Sequence, residues 1–271
     1  MSKIKNRFEQ LAVKGEKALI AYIMAGDPNL SETCKIVLEL EKAGADFIEL
    51  GVPFTDPVAD GPTIQKAAER ALHQGVTLPL ILEHVANLRR KTTIPILLMT
   101  YLNPIFAMGR NAVCGLEHFF KEARRVGVDG VIIPDLPLEE AKECLHWSRR
   151  YRVDLIFLVA PTTPLERVEK IASYTTGFLY YVSITGITGA SIKNIASVTK
   201  RISEIKSLVK IPVVAGFGIS TGEEAKAVSR VADGVVVGSL FVKTIETAKQ
   251  EADILPILYQ QTASLKAAIL S

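Results

Sequence analysis

The chain has 271 residues, 48% hydrophobic and 23% charged, with 32 basic and 29 acidic side chains for a formal net charge of +3. That length suits one large core and a single domain over 1–271, and charges spread without a basic run or aromatic stripe exclude nucleic acid as the expected partner. No segment approaches the roughly 18 uninterrupted apolar residues of a membrane span, and three dispersed cysteines with four histidines make no zinc spacing, so reduced thiols and no metal are expected.

The opening MSKIKNRFEQLAVKGEKALIAYIMAG reads as a charged helix before the first apolar run. It lacks a signal-peptide core and a small-residue cleavage site, so a cytoplasmic location is expected. Short apolar runs then alternate with segments of 3.6-residue periodicity. The expected strands are 19–24, 47–50, 96–100, 130–133, 155–159, 178–182, 213–215 and 234–237. Between them the periodicity predicts helices over 31–44, 78–91, 116–126, 138–151, 165–174, 195–208, 222–231 and 253–270, with an additional one over 63–73. Ser31 is a suitable N-cap, Gly44 and Gly127 suit positions just past a helix end, and Pro164 suits a first turn. Eight β-α pairs with strands too apolar to face water predict an α/β fold: a (β/α)8 TIM barrel with an extra N-terminal helix and additional short helices. An open, doubly wound sheet is the alternative. Against it, Ala25-Gly26-Asp27-Pro28 stands after the first strand where a G-x-G-x-x-G turn would be needed.

Active sites of such barrels lie at the C-terminal strand ends. The second strand and its exit loop, Phe47 to Pro62, carry Glu49, Asp56 and Asp60 among apolar and turn-forming residues. A carboxylate inside such a strand persists only if paired, protonated or used, which makes Glu49 the leading general acid/base candidate against the alternative of a structural ion pair. Asp60 fits a helix N-cap as well as a site residue, Asp56 reads as a turn residue, and Asp27 and Asp135 fit turns or caps. Glycine-rich turns stand at 183–189, 216–222 and 238–239. Those after strands seven and eight allow backbone amides to approach an anion and match the phosphate site of this fold, against the alternative that they only make tight β-α turns. No strand carries a lysine placed for a Schiff base and no histidine follows a strand end with partners. A phosphate cradle plus carboxylates predicts proton-transfer chemistry on a small phosphorylated substrate.

The run Ile48-Glu-Leu-Gly-Val-Pro-Phe-Thr-Asp-Pro-Val-Ala-Asp-Gly-Pro62 closely resembles the signature of the tryptophan synthase alpha chain family. Ile20 to Pro28, Met99 to Ile105, Gly130 to Pro137, Tyr180 to Ser183, Gly186 to Gly189, Gly216 to Ser220 and Gly238-Ser239 follow in family order. The resemblance implies retro-aldol cleavage of indole-3-glycerol phosphate to indole and glyceraldehyde 3-phosphate. It also implies roles: Glu49 for proton transfer at indole C3 and the glycerol hydroxyl, and Asp60 for the indole N–H and the cation on the ring. Tyr22, Ile64, Tyr101, Tyr180 and Phe217 would line the indole pocket. Gly189, Gly218, Gly238 and Ser239 would bind phosphate, and Thr188 would close a loop over the site. No cofactor is implied in this chain; pyridoxal phosphate would reside in a partner beta chain within an αββα heterotetramer. A stand-alone lyase, an allosteric binding subunit and another phosphate-binding barrel of the same pathway are the alternatives. Ile184 replaces the arginine usual in the family, and the segment 106–115 is longer than its usual link, both of which bear on partner binding.

Overall fold

The computed structural model describes residues 2–182, 192–216 and 218–271. The strands are β1 (Ala18–Met24), β2 (Phe47–Gly51), β3 (Ile96–Met99), β4 (Gly130–Ile132), β5 (Asp154–Ile156), β6 (Leu158–Val159), β7 (Leu179–Val182), β8 (Val213–Gly216) and β9 (Gly234–Val237). All are parallel, in the order β5-β4-β3-β2-β1-β9-β8-β7-β6. The strand expected over 155–159 is interrupted at Phe157; β5 pairs with β4 and β6 with β7, so the two halves complete the ring as one bent strand. Every residue of β1, β2, β4, β8 and β9 is buried, as a sheet covered on one side by helices and filled on the other by its own side chains requires.

The helices are α1 (Lys3–Val13), α2 (Leu30–Lys42), α3 (Pro62–His73), α4 (Leu78–Leu88), α5 (Leu102–Phe106), α6 (Ala112–Val126), α7 (Lys142–Tyr151), α8 (Leu165–Tyr174), α9 (Ile192–Leu208), α10 (Gly222–Ser229), α11 (Ser239–Thr247) and α12 (Glu251–Leu270). None among the described residues is long and apolar enough to cross a membrane. Two differ from expectation by their existence, α5 and α11; α6 starts four residues earlier than the periodicity placed it, and the helix expected over 138–151 opens as a short 3-10 turn before α7. Asn29, rather than Ser31, caps α2, its side chain accepting the Glu32 amide. Gly44 and Gly127 adopt the left-handed backbone expected past a helix end.

The N-terminal end of the barrel is closed by α1, whose Ile4 and Phe8 are buried; the Phe8 ring lies 4.9 Å from Phe47 and 5.8 Å from Phe178. Around this floor, side chains just ahead of one strand accept the first or second amide of its neighbour. Asp46, before β2, takes Leu19 of β1 at 2.7 Å. Asp129, before β4, takes Ile96 of β3 at 3.0 Å. Asp233, before β9, takes Val213 of β8 at 2.9 Å, and Thr176, before β7, takes Leu155 of β5 at 2.8 Å. Basic side chains complete the carboxylates: Arg7 and Lys266 on Asp46, Arg89 on Asp129 and Lys206 on Asp233. The opposite end holds the candidate chemistry.

Candidate active site

Glu49 sits in the middle of β2, in register with Tyr22 of β1 on one side and Leu97 of β3 on the other. Its side chain is fully buried and neither carboxyl oxygen has a hydrogen-bond partner among the described residues. The ion pair that would have made this acid structural is therefore absent among the described residues. Burial, with the nearby Asp60 charge adding to it, pushes its pKa up to about 8. A carboxyl group without a partner remains a proton donor near neutral pH.

Asp60 is held differently. Its expected capping role goes to no side chain: Gly61 is the N-cap residue of α3 and makes no side-chain cap bond. Instead the Tyr101 hydroxyl donates to Asp60 Oδ2 at 3.0 Å and accepts the Ala59 amide at 3.1 Å. One phenol thus pins both the carboxylate and the loop that carries it. Burial raises the Asp60 pKa to about 6, and the Tyr101 hydrogen bond works against that rise. Two carboxyl groups in one site consequently differ in protonation at pH 7, one mostly acid and one mostly ionised, the arrangement a paired acid and charge stabiliser requires.

Tyr101→Phe removes a hydrogen bond to an ionised group, worth about 1.5–3 kcal/mol. The Asp60 pKa should move upward by about one unit, and the acid limb of kcat/KM should follow it, so that the loss is larger at pH 6 than at pH 8. A pH-rate profile of the variant checks this; an unmoved acid limb would contradict it.

The remaining expected residues divide into those the structure gathers and those it does not describe. Tyr22 and Tyr180 are buried with Glu49, and the charges of Glu49 and Asp60 bear on both phenols, which burial first pushes well above their ordinary pKa. Tyr101 is buried beneath Phe54, with ring centroids 5.2 Å apart. Ile64, on the first turns of α3, is half-buried against the core. Thr188, Gly189, Phe217 and Ile184 lie outside the described residues. Gly218 takes a positive φ of 36°, Gly238 is half-buried and Ser239 is exposed.

The two helix N-termini beside the glycine turns are not equivalent. α10 is closed by its own capping box: Thr221 accepts the Glu224 amide, and Glu224 accepts the amides of Ser220 and Thr221. α11, with Gly238 at its N-cap, has no side-chain cap bond, which leaves its first amides for an anion. The phosphate site read as two successive turns thus has its open helix end at Gly238-Ser239. Among the described residues no cluster of His, Cys, Asp and Glu is arranged to hold a metal ion.

One element of the site escaped sequence reasoning. Asp27, read as a turn residue, is 1% exposed and accepts two hydrogen bonds from Arg70 of α3, at 2.9 and 2.8 Å. Arg70 also reaches Glu246 of α11 at 3.1 Å. It therefore ties the loop after β1 to the helix following Asp60 and to the helix beginning at Ser239. Asp135 accepts the first amide of α5 from across the β4 exit, in line with the capping role expected of it.

The family model described as tryptophan synthase alpha chain matches residues 8–269. A relative named tryptophan synthase alpha chain, from Citrifermentans bemidjiense, is 50% identical over 270 residues, covering 100% of this chain and 98% of its own. The crystal structure of tryptophan synthase subunit alpha from Legionella pneumophila superposes with a TM-score of 0.90 at 36% identity, covering 99% of this chain and 98% of that one. A chain of Mycobacterium tuberculosis tryptophan synthase gives a TM-score of 0.88 at 32% identity, covering 99% and 98%.

Proposed function

The chain belongs to the tryptophan synthase alpha chain family, and from that premise we propose how its own residues carry out the family's cleavage of indole-3-glycerol phosphate to indole and glyceraldehyde 3-phosphate. The observation that supports the assignment is Glu49: a buried carboxyl group with no hydrogen-bond partner among the described residues and a pKa of about 8, beside an Asp60 held lower. Glu49 protonates C3 of the indole. The positive charge that develops on the ring falls to Asp60, which accepts the indole N–H. The Glu49 carboxylate then takes the proton of the glycerol hydroxyl next to the ring as the C–C bond breaks. The bonding pair returns to the indole, the hydroxyl becomes the aldehyde of glyceraldehyde 3-phosphate, and Glu49 ends protonated as it began. A pKa near the working pH lets one group give and then take the proton.

Tyr22, Tyr101, Tyr180, Ile64 and Phe217 enclose the apolar ring, while Gly189, Gly218, Gly238 and Ser239 receive the phosphate and Thr188 closes the loop above it. The chain carries no cofactor of its own in this reading. Pyridoxal phosphate belongs to the beta chain, with which this chain forms an αββα assembly in the cytoplasm. Purified protein should release indole from indole-3-glycerol phosphate with neither metal nor pyridoxal phosphate added, and faster when a tryptophan synthase beta chain is present. Indole release measured with and without that partner tests both parts. No cleavage in either mixture would overturn the reading, and cleavage without stimulation or co-elution would favour a solitary lyase.

A further inference from the structure

The proton cycle leaves a negative charge on Glu49 between its two steps, inside a pocket where neither carboxyl oxygen has a partner among the described residues. An isolated carboxylate in such a place is costly unless a donor reaches it. The resting arrangement supplies a candidate. Tyr22 and Glu49 are register partners on adjacent parallel strands and are both buried, so their side chains leave the sheet on the same face. The Tyr22 ring leans toward the barrel mouth, and its hydroxyl stands over Gly51, two residues beyond Glu49 on the same face of β2. A Cβ at position 51 would come within 2.2 Å of that hydroxyl oxygen. On its other flank the ring packs on Gly238, where a Cβ would lie 3.1 Å from Cδ1. Two strand-end glycines thus make the slot that Tyr22 occupies. The hydroxyl makes no hydrogen bond among the described residues.

We propose that Tyr22 is a positioning residue for the cleavage reaction: its hydroxyl, seated over Gly51, donates a hydrogen bond to the Glu49 carboxylate once that group has given its proton to the substrate. The inference rests on Glu49 being the proton-transfer group. A phenol suits this duty because it supplies one donor and stays neutral; the Asp60 and Glu49 charges and the Tyr180 and Tyr101 phenols around it all discourage its ionisation, after burial itself. The groups facing Glu49 from the neighbouring elements are Tyr22 of β1, Asp60 of the β2 exit loop and Tyr180 of β7. Of these, Asp60 cannot serve as donor while ionised, and Tyr180, whose hydroxyl stands over Gly216 of β8 rather than over β2, is the competing phenol.

The test is the pH-rate profile of Tyr22→Phe, which keeps the ring and removes only the hydroxyl. Activity that requires protonated Glu49 falls on an alkaline limb. Loss of a donor to the carboxylate should move that limb upward by about one pH unit and lower the plateau kcat about tenfold, with KM unchanged. A packing role alone would leave the limb in place. If Tyr22→Phe folds poorly, Gly51→Ala, which drives a methyl group into the place of the hydroxyl, must move the limb in the same direction. An unmoved limb in the variant that folds would overturn the inference, and so would a larger shift in Tyr180→Phe, which would assign the donor to β7. Should Glu49→Gln keep full activity, the catalytic reading falls and this inference with it. A dead Glu49→Gln alongside an unmoved Tyr22→Phe limb sinks the Tyr22 role alone.

Discussion

Glu49→Gln is expected to lower kcat for indole release by about 10³-fold, the usual scale for loss of a general acid/base group, while leaving the fold intact. The amide matches the carboxylic acid in shape but can neither give nor take the proton. The same substitution should strengthen the protein above neutrality. Between pH 4.5 and about 8 the folded state keeps the Glu49 proton while the unfolded chain has lost it. The unfolded state therefore binds fewer protons, and stability declines as pH rises through that window, levelling off above it. At 1.36 kcal/mol per unit the decline reaches about 4 kcal/mol by pH 8. In Glu49→Gln this slope disappears. Melting temperatures of both proteins from pH 5 to pH 9 should converge at the acid end and separate in favour of the variant at the alkaline end. Parallel curves would mean that the carboxyl group has found a partner and lost the basis of its assigned role.

Arg70→Ala should be clearly damaging although Arg70 is not one of the reacting groups. It strands the Asp27 carboxylate, which is 1% exposed and receives side-chain hydrogen bonds from Arg70 alone among the described residues. Removing one partner of a buried pair usually costs about 3–5 kcal/mol, and the half-exposed guanidinium places this case near the lower figure, about 3 kcal/mol. That corresponds to a fall in melting temperature of roughly 6–12 °C for a chain of this size. Activity should suffer in a characteristic way. Arg70 braces the helices that follow Asp60 and Gly238, so KM for the phosphate ester should rise more than kcat falls. Arg70→Lys should recover only part of either loss, since an ammonium cannot make the two-pronged contact and still reach Glu246. Thermal melts and steady-state kinetics of the two variants decide the point; equal stability of Arg70→Ala and the parent would refute it.

The barrel was legible because each strand is a run of apolar residues long enough to be buried on both faces and each helix repeats on a 3.6-residue period. Glu49 was legible for the same reason: an acid within such a run breaks the pattern. What escaped were features set by tertiary neighbours. The break at Phe157 exists because β5 must pair with β4 and β6 with β7 around a closing ring, a demand invisible in a continuous apolar stretch. Asn29 and Ser31 are both capping residues, and only the geometry of the Glu32 amide chooses between them. The short helix α11 hid behind the glycine turn that precedes it. Asp60 offered a local reading as an N-cap that Tyr101, 41 residues away, overrides. Asp27 read as a turn or cap residue until the fold joined it to Arg70, 43 residues away.

The floor contacts have a consequence for how the ring is assembled. Asp46, Asp129, Thr176 and Asp233 join β2 to β1, β4 to β3, β7 to the bent β5/β6 strand and β9 to β8. No strand shares two of these stitches. The circle is thereby partitioned into four quarter-barrels, each a strand-helix-strand module whose paired bases are fastened within the module. Between modules, Tyr101 bonds the Asp60 loop across the β2/β3 seam and Lys17 reaches Asp233 across the β9/β1 seam. No stitch of this kind crosses between β4 and β5 among the described residues, which makes that seam the natural place to sever this chain and have its halves find each other again.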